Sequence, residues 1–328
     1  MNKKRRAVIG TCLCVLCLGL VVWLIYRSNF AAVTPENSIH GDSPVPAVFE
    51  SAAVGDLDAV SAAIEGGTDI NIRHPGNDRT LLHFAVNYQK DDVAEYLVGQ
   101  GIDCDSADVY QCTPLMLAVL NGSQREYDLL KDRASFDVQD LEGNTLLHLA
   151  ASSGAVGIFR DLLERGLDPA AVNSKGNPVI CYAGTAEMLE AVMAALDTEQ
   201  LSPDLAKKIL FCALSPEIVD YLTAHTDLDI NVCDGDQNNA LFYAEQNNVP
   251  DVFRALIRSG ADVNCQNHDG NTPLHICAAD GTEDYIRDLL EAGADKSVRN
   301  NDGQTPYDVA VFYQNTAAAE ILGGTNEH

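Results

Sequence analysis

The segment TPLHICAADG, Thr272 to Gly281, contains side chains that could form a nucleophilic centre. Cys277 could attack as a thiolate, and the imidazole of His275 could take the thiol proton. Whether the two residues act in this way depends on the elements that carry them. A pair that is one copy of a repeated pattern is better explained by a structural role than by catalysis.

The pattern around Thr272 recurs along the chain with a period near 33 residues. The clear copies are TLLHFA at Thr80, TPLMLA at Thr113, TLLHLA at Thr145, TPLHIC at Thr272 and TPYDVA at Thr305. Weaker copies begin at Pro46, Pro178, Lys208 and Asn239, and neighbouring copies start 30 to 34 residues apart. The sequence therefore predicts nine repeats.

Each repeat predicts two short helices followed by a turn, most clearly from Thr272 onward. Thr272 caps the first helix, Pro273 suits its first turn, and Gly281 ends it. Apolar residues at helical spacing predict a second helix that stops at Gly293. The segment NNDG before Thr305 then predicts a turn that leads into the next repeat.

These repeats resemble the ankyrin repeat family, through the T-P-L-H-x-A motif and the GADVN segment of Gly260 to Asn264. The resemblance implies an all-α repeat solenoid of helix-turn-helix units with β-hairpin fingers, over residues 46–322. It also implies a concave face that binds other macromolecules, and no catalysis. The repeats over 177–238 are degenerate, either through drift or because this region is a specialised docking point.

Under this resemblance the recurring Thr and His side chains satisfy backbone groups between neighbouring repeats. Cys277 lies where other repeats have alanine, so it is predicted to be a small core residue, and no residue is predicted to be catalytic. The predicted structural signature consists of Thr80, His83, Thr113, Thr145, His148, Thr272, His275 and Thr305.

The amino terminus has the pattern of a membrane anchor. A basic head (1–6) precedes twenty uncharged residues (7–26), enough to span a bilayer as a single transmembrane helix. Because the positive charge is concentrated before this segment, the amino terminus is predicted to be cytoplasmic and the repeats extracytoplasmic, periplasmic in a bacterium. A flexible linker (27–45) follows, and 323–328 form a tail. Secretion after signal-peptide cleavage is the alternative, although no small-residue cleavage site is evident.

The chain is strongly acidic. Without the five basic residues at positions 3–6 and 27, it has 16 basic against 48 acidic residues, a formal charge of −32. Binding to the phosphate backbone of a nucleic acid is therefore excluded as a predicted function. A protein partner with a basic segment is favoured electrostatically. No small-molecule substrate is predicted.

Seven cysteines follow the apolar segment, without the spacing of a zinc site. They are predicted to be single buried or half-buried thiols, and no cofactor or metal is predicted. A thiol-based redox or metal-handling module is the alternative function. These residues are Cys104, Cys112, Cys181, Cys212, Cys233, Cys265 and Cys277.

The resemblance implies that partners contact finger residues before each Thr and residues near the end of each first helix. The strongest anchors among them are two tyrosines, an arginine and two leucines on three successive repeats: Tyr88, Tyr110, Arg79, Leu120 and Leu141. The alternative is that Tyr88 or Tyr110 packs on its own finger. Phe312 and Tyr313 also occupy contact positions, but are expected to seal the core of the last repeat. The predicted contact residues are Asn77, Arg79, Asn87, Tyr88, Val109, Tyr110, Leu120, Asn121, Leu141, Glu142, His268 and Asp269.

The predicted function is a membrane-tethered, non-catalytic protein-interaction module or scaffold on the extracytoplasmic side. A purely architectural spacer that self-associates at the membrane is a further alternative.

Overall fold

A computed structural model of the chain describes residues 46–196 and 201–323. The predicted basic head, transmembrane segment (7–26) and linker lie outside the described residues, as do 324–328. The described residues belong to two compact bodies, an N-terminal body (46–196) and a C-terminal body (201–323). Within these two ranges, every helix is too short or too polar to cross a membrane.

The N-terminal body consists of paired short helices in two layers. Helices α1, α3, α5 and α7 pack side by side in an inner layer, and α2, α4, α6 and α8 form an outer layer against them. The helices are α1 Val48–Val54, α2 Leu57–Glu65, α3 Leu81–Asn87, α4 Asp91–Gly99, α5 Pro114–Leu120, α6 Gln124–Leu130, α7 Leu146–Ser153, α8 Val156–Glu164 and α9 Ala186–Ala195.

The C-terminal body repeats this two-layer arrangement. Its inner layer is α10, α12, α14 and α16, and its outer layer is α11, α13, α15 and α17. The helices are α10 Pro203–Phe211, α11 Pro216–His225, α12 Ala240–Gln246, α13 Pro250–Arg258, α14 Pro273–Asp280, α15 Glu283–Glu291, α16 Pro306–Phe312 and α17 Thr316–Gly323. Gly323, expected in the tail, is thus the last residue of α17.

Threonine precedes five of the inner helices, α3, α5, α7, α14 and α16, at the positions that the motif predicts. The Thr113 hydroxyl accepts a hydrogen bond from the backbone N–H of Met116 at 3.3 Å, and Thr305 caps α16 in the same way through Asp308. Such caps satisfy N–H groups that have no partner inside the helix. The central inner helices α3, α5 and α7 bury nearly every residue, and in α5 all seven are buried.

The predicted β-hairpin fingers are present as tight turns without regular strands. Asp140 N–H donates to the Asn144 carbonyl at 3.1 Å and Gly143 N–H donates to the Asp140 carbonyl at 2.8 Å, and these two bonds close the turn. In the described ranges the only strand-like pairing is an isolated bridge between Val172 and Pro178.

The degenerate region loses one inner helix. The repeat that begins at Pro178 has only a short 3-10 turn, Val179–Tyr182, where its neighbours have two helical turns. Pro178 replaces the capping threonine, and its side chain has no oxygen to accept from the following N–H groups. The four turn residues are nevertheless buried, and the Tyr182 hydroxyl accepts from Asn173 Nδ2 at 2.7 Å.

Candidate functional site

The His275 and Cys277 pair of the opening motif has a structural role. His275 Nδ1 accepts from the Thr272 N–H at 3.1 Å, and Nε2 lies 3.0 Å from the Gln304 carbonyl, which accepts from it. Both ring nitrogens are therefore engaged, Nδ1 within the repeat and Nε2 across the junction with the next repeat. Cys277 is fully buried, and burial raises the pKa of its thiol well above the ordinary value. This arrangement disfavours a thiolate nucleophile.

Two other histidines make the same junction. His83 bonds to Thr80 within its own repeat and to the Cys112 carbonyl of the next, at 3.0 Å. His148 reaches the Asn177 carbonyl at 3.1 Å. Burial lowers the pKa of His83 and of His148 to about 4. The imidazoles are therefore neutral at physiological pH and tie successive repeats together, as the resemblance implied.

The cysteines differ in part from the prediction. Five are free thiols, but Cys181 and Cys212 are disulfide-bonded, so these two are not single thiols. Burial raises the pKa of every free thiol in the described residues, that of Cys265 to about 12. No group of three or more potential metal ligands exists within residues 46–196 and 201–323. The chemistry of these side chains points away from thiol catalysis.

Successive fingers of the N-terminal body are linked to one another by backbone hydrogen bonds. We call the turns at 74–79, 108–112, 140–144 and 173–177 the finger row. Each finger donates one N–H to a carbonyl of the finger before it. The links are Val109 to Asn77 at 3.2 Å, Leu141 to Tyr110 at 2.9 Å and Ser174 to Glu142 at 3.0 Å. The row thus has a fixed backbone.

Two apolar side chains project from this row into solvent. Val109 is 50% exposed and Leu141 is 67% exposed, each at the tip of its finger. The neighbouring contact candidates Tyr110 and Glu142 are half-buried. Glu142 forms an ion pair at 3.1 Å with Lys175 on the next finger. Val109, Tyr110, Leu141 and Glu142 thus lie on two successive fingers, and their contact with a partner stays a prediction.

Arg79 is not available to a partner, contrary to the prediction. Its side chain is 3% exposed, and Nε donates to Asp108 Oδ2 at 2.9 Å on the next finger. In a later repeat Asn144 has the corresponding position before the threonine, and its Oδ1 accepts from Asn173 at 2.8 Å. Arg79 is thus a structural link between fingers, and we exclude it from the partner surface.

Leu120 is also buried, at 3% exposure, because it ends the inner helix α5 inside the core. Asn77, Asn87, Tyr88 and Asn121 are half-buried, so they remain candidates.

A shallow cleft lies beside Tyr88 at the start of the N-terminal body. It has a volume of about 350 Å³ and is lined by Glu50, Ala53, Val54, Tyr88 and Lys90. Val54 is 64% exposed, and Gly55 packs against the Lys90 side chain. The sequence prediction did not include Val54 or Lys90; Val54 was missed because the first repeat has no capping threonine to fix its register.

The fingers of the C-terminal body are linked in the same way but have acidic tips. His268 N–H donates to the Asp236 carbonyl at 2.8 Å, and Asn301 N–H donates to the Asp269 carbonyl at 3.0 Å. His268 and Asp269 are exposed, as predicted, together with Asp236 and Asp302. These carboxylates follow one another at intervals of one repeat.

Comparison with known proteins identifies the repeats independently. A profile of ankyrin repeats (3 copies) matches residues 48–140 and 241–327, and an ankyrin repeat profile matches 142–177. The fowlpox virus (strain NVSL) ankyrin repeat protein FPV223 is 29% identical over 115 residues, which are 35% of this chain and 81% of that protein.

Two cellular proteins are similar over a smaller part of their length. The Homo sapiens Neurogenic locus notch homolog protein 1 is 28% identical over 139 residues, which are 42% of this chain and 5% of the Notch protein. Danio rerio ZDHHC13, named as a palmitoyltransferase, is 30% identical over 157 residues, 46% of this chain and 24% of that protein. The profile matches cover more than half of the chain, which therefore belongs to the ankyrin repeat family.

Proposed function

We propose that the chain is a membrane-tethered, non-catalytic module that binds a protein partner through the finger row of its N-terminal body. The observation that carries the proposal is the exposure of Val109 and Leu141 on fingers with a fixed backbone. A fixed apolar pair loses little conformational entropy when a partner covers it. Family membership supports protein binding as the function in general terms.

The proposed location is the extracytoplasmic side of a membrane. Its support is the sequence of residues 1–26, in which basic residues precede an apolar segment of spanning length. The disulfide-bonded Cys181 and Cys212 fit the same location, because disulfides persist mainly in oxidising compartments. A reporter enzyme that is active only outside the cytoplasm, fused to residue 328, tests the location. Activity is expected, and an inactive reporter of full length would reject this part of the proposal.

Photo-crosslinking tests the binding surface. A photoreactive amino acid is placed at Leu141 in the full-length chain in its native membrane, and at Val54 as the matched control, since both side chains are similarly exposed. We expect a defined crosslinked species from position 141 that is weak or absent from position 54. Equal crosslinking from both positions, or none from 141, would reject the finger row as the site.

The thiol-based alternative has less support. A reactive thiol requires a lowered pKa and access, whereas burial raises the pKa of Cys112 and Cys277 well above the ordinary value. Alkylation of the native chain measures this directly. Rapid modification of these two thiols would restore the redox proposal.

A further inference from the structure

The last inner helix of the C-terminal body has an unusually apolar exposed surface. On α16, Tyr307 is 44% exposed, Val311 is 52% exposed and Phe312 is 68% exposed, and Tyr313 directly after it is 43% exposed. We call these four residues the end patch. They are half of the large hydrophobic side chains that are exposed within the described residues.

Two of the four corresponding residues of the preceding repeat are buried, whereas Ala279 and Asp280, the counterparts of Phe312 and Tyr313, are half-buried and exposed, respectively. Leu274 and Ala278 lie 33 residues before Tyr307 and Val311, and both are fully buried. The sequence prediction that Phe312 and Tyr313 seal the last repeat is therefore wrong, because both rings face solvent. A contiguous apolar surface of this kind marks an interaction site more often than single exposed hydrophobic residues do.

The end patch is held on a fixed backbone. The rings of Phe312 and Tyr313 meet edge to face, with centroids 5.1 Å apart. Asn315, after α16, donates through Nδ2 to the Ala278 and Ala279 carbonyls at 2.8 and 2.7 Å, which attaches this segment to the end of α14. Because these residues are already ordered, binding through them costs little entropy.

Charge distinguishes between two possible occupants of the end patch, a second copy of the chain and a basic partner protein. Residues 306–323 contain two acidic residues, Asp308 and Glu320, and no basic residue. Both carboxylates are exposed, and Arg299 Nη1 lies 3.9 Å from Asp308 outside this stretch. A second copy of the chain would bring four carboxylates together. A basic partner instead gains complementary contacts around the apolar centre.

We propose that the end patch binds a basic amphipathic helix of a partner protein. Its apolar face covers Tyr307, Val311 and Phe312, and its Lys or Arg side chains lie near Asp308 and Glu320. Aromatic anchors surrounded by charge provide affinity and orientation for an amphipathic helix. The end patch and the finger row consist of different residues. An experiment can therefore refute binding at the end patch without refuting the proposed function of the finger row, and the reverse.

Equilibrium binding of a designed peptide tests the proposal. The probe is a fluorescein-labelled 14-residue amphipathic helix of Leu and Lys, titrated with the purified full-length chain in one buffer, and the comparison probe has Glu in place of Lys. Phe312→Ser is compared with Val54→Ser, since each change removes one exposed apolar side chain without changing charge. Circular dichroism verifies that both variants fold.

We expect the Leu–Lys peptide to bind, and the Leu–Glu peptide to bind at least tenfold more weakly. Phe312→Ser should weaken binding of the Leu–Lys peptide about tenfold, the loss typical of an interface anchor, and Val54→Ser less than twofold. Equal losses in the two variants, or equal binding of the two peptides, would overturn the proposal. Dimerisation of the chain that Phe312→Ser abolishes would overturn it in favour of a second copy.

Discussion

Glu126 on α6 is predicted to destabilise the fold once it ionises. Its side chain is 1% exposed, and neither carboxylate oxygen has a hydrogen-bond partner in the described part of the chain. Burial, with the Asp91 carboxylate as a further cause, raises the pKa of Glu126 to about 7. Arg125 offsets this only in part, because its guanidinium binds Asp91 and Glu95 on α4.

The free-energy cost of ionising Glu126 in the folded state follows from the change in its proton affinity. Glu126 has an ordinary value of 4.5, and its pKa in the fold is about 7. Each tenfold change in proton affinity corresponds to about 1.4 kcal/mol, so ionising this carboxyl costs the folded state at most about 3.5 kcal/mol. The folded state holds its proton more tightly than the unfolded state does. The stabilising contribution is therefore complete below pH 4.5 and is lost as the pH rises to 7.

Glu126→Gln removes this titration with little change in shape. At pH 8 the variant should have a higher free energy of unfolding than the native chain, by about 1 to 3 kcal/mol. At pH 4.5 the difference in free energy of unfolding between the variant and the native chain should vanish. The measurement is urea unfolding of the full-length chain followed by far-UV circular dichroism at both pH values. Glu164→Gln, at an exposed position on α8, is the control and should change stability little at either pH.

Two results would contradict this reasoning. One is equal stabilisation by Glu126→Gln at both pH values, which would indicate a packing effect without titration. The other is lower stability of the variant at pH 8, which would mean that the ionised carboxylate is well solvated or bound in the fold.

Three further predictions follow from buried groups. His83 and His148 have pKa values lowered to about 4, so stability should be lost as the pH falls from 6.5 to 4, and urea midpoints at intermediate pH values measure this loss. Arg79→Met should cost about 3 kcal/mol, since it leaves the Asp108 carboxylate buried without its cation, and Asp108→Asn in the same chain should restore part of that loss. Cys277 should resist iodoacetamide in the native chain and react fully in urea, as peptide mass spectrometry would reveal.

The period and the motif were sufficient to predict the family and the structural role of the histidines. His83 recurs at one position of the repeat, and such recurrence indicates a role in the scaffold. The burial of Arg79 was not predictable from the same pattern. Its partner Asp108 belongs to the next finger, 29 residues later, and most repeats have an amide in place of the arginine.

The exposed apolar residues were only partly predictable. Val109 and Leu141 were found because the finger tips have a fixed place in the repeat. Phe312 was assigned to the core because the last repeat lacks a following neighbour, so its aromatic side chains were expected to seal the exposed end. Its exposure depends on how α16 lies against α14 and α17, which the repeat pattern does not specify for a terminal repeat.

The central claim is that the chain acts by binding through the finger row. The most direct test is the dissociation constant of the protein crosslinked at position 141, measured with the native full-length chain and with Val109→Ser combined with Leu141→Ser. We predict at least tenfold weaker binding with an unchanged midpoint of unfolding, because both side chains are exposed. Unchanged affinity in the double variant would contradict the claim.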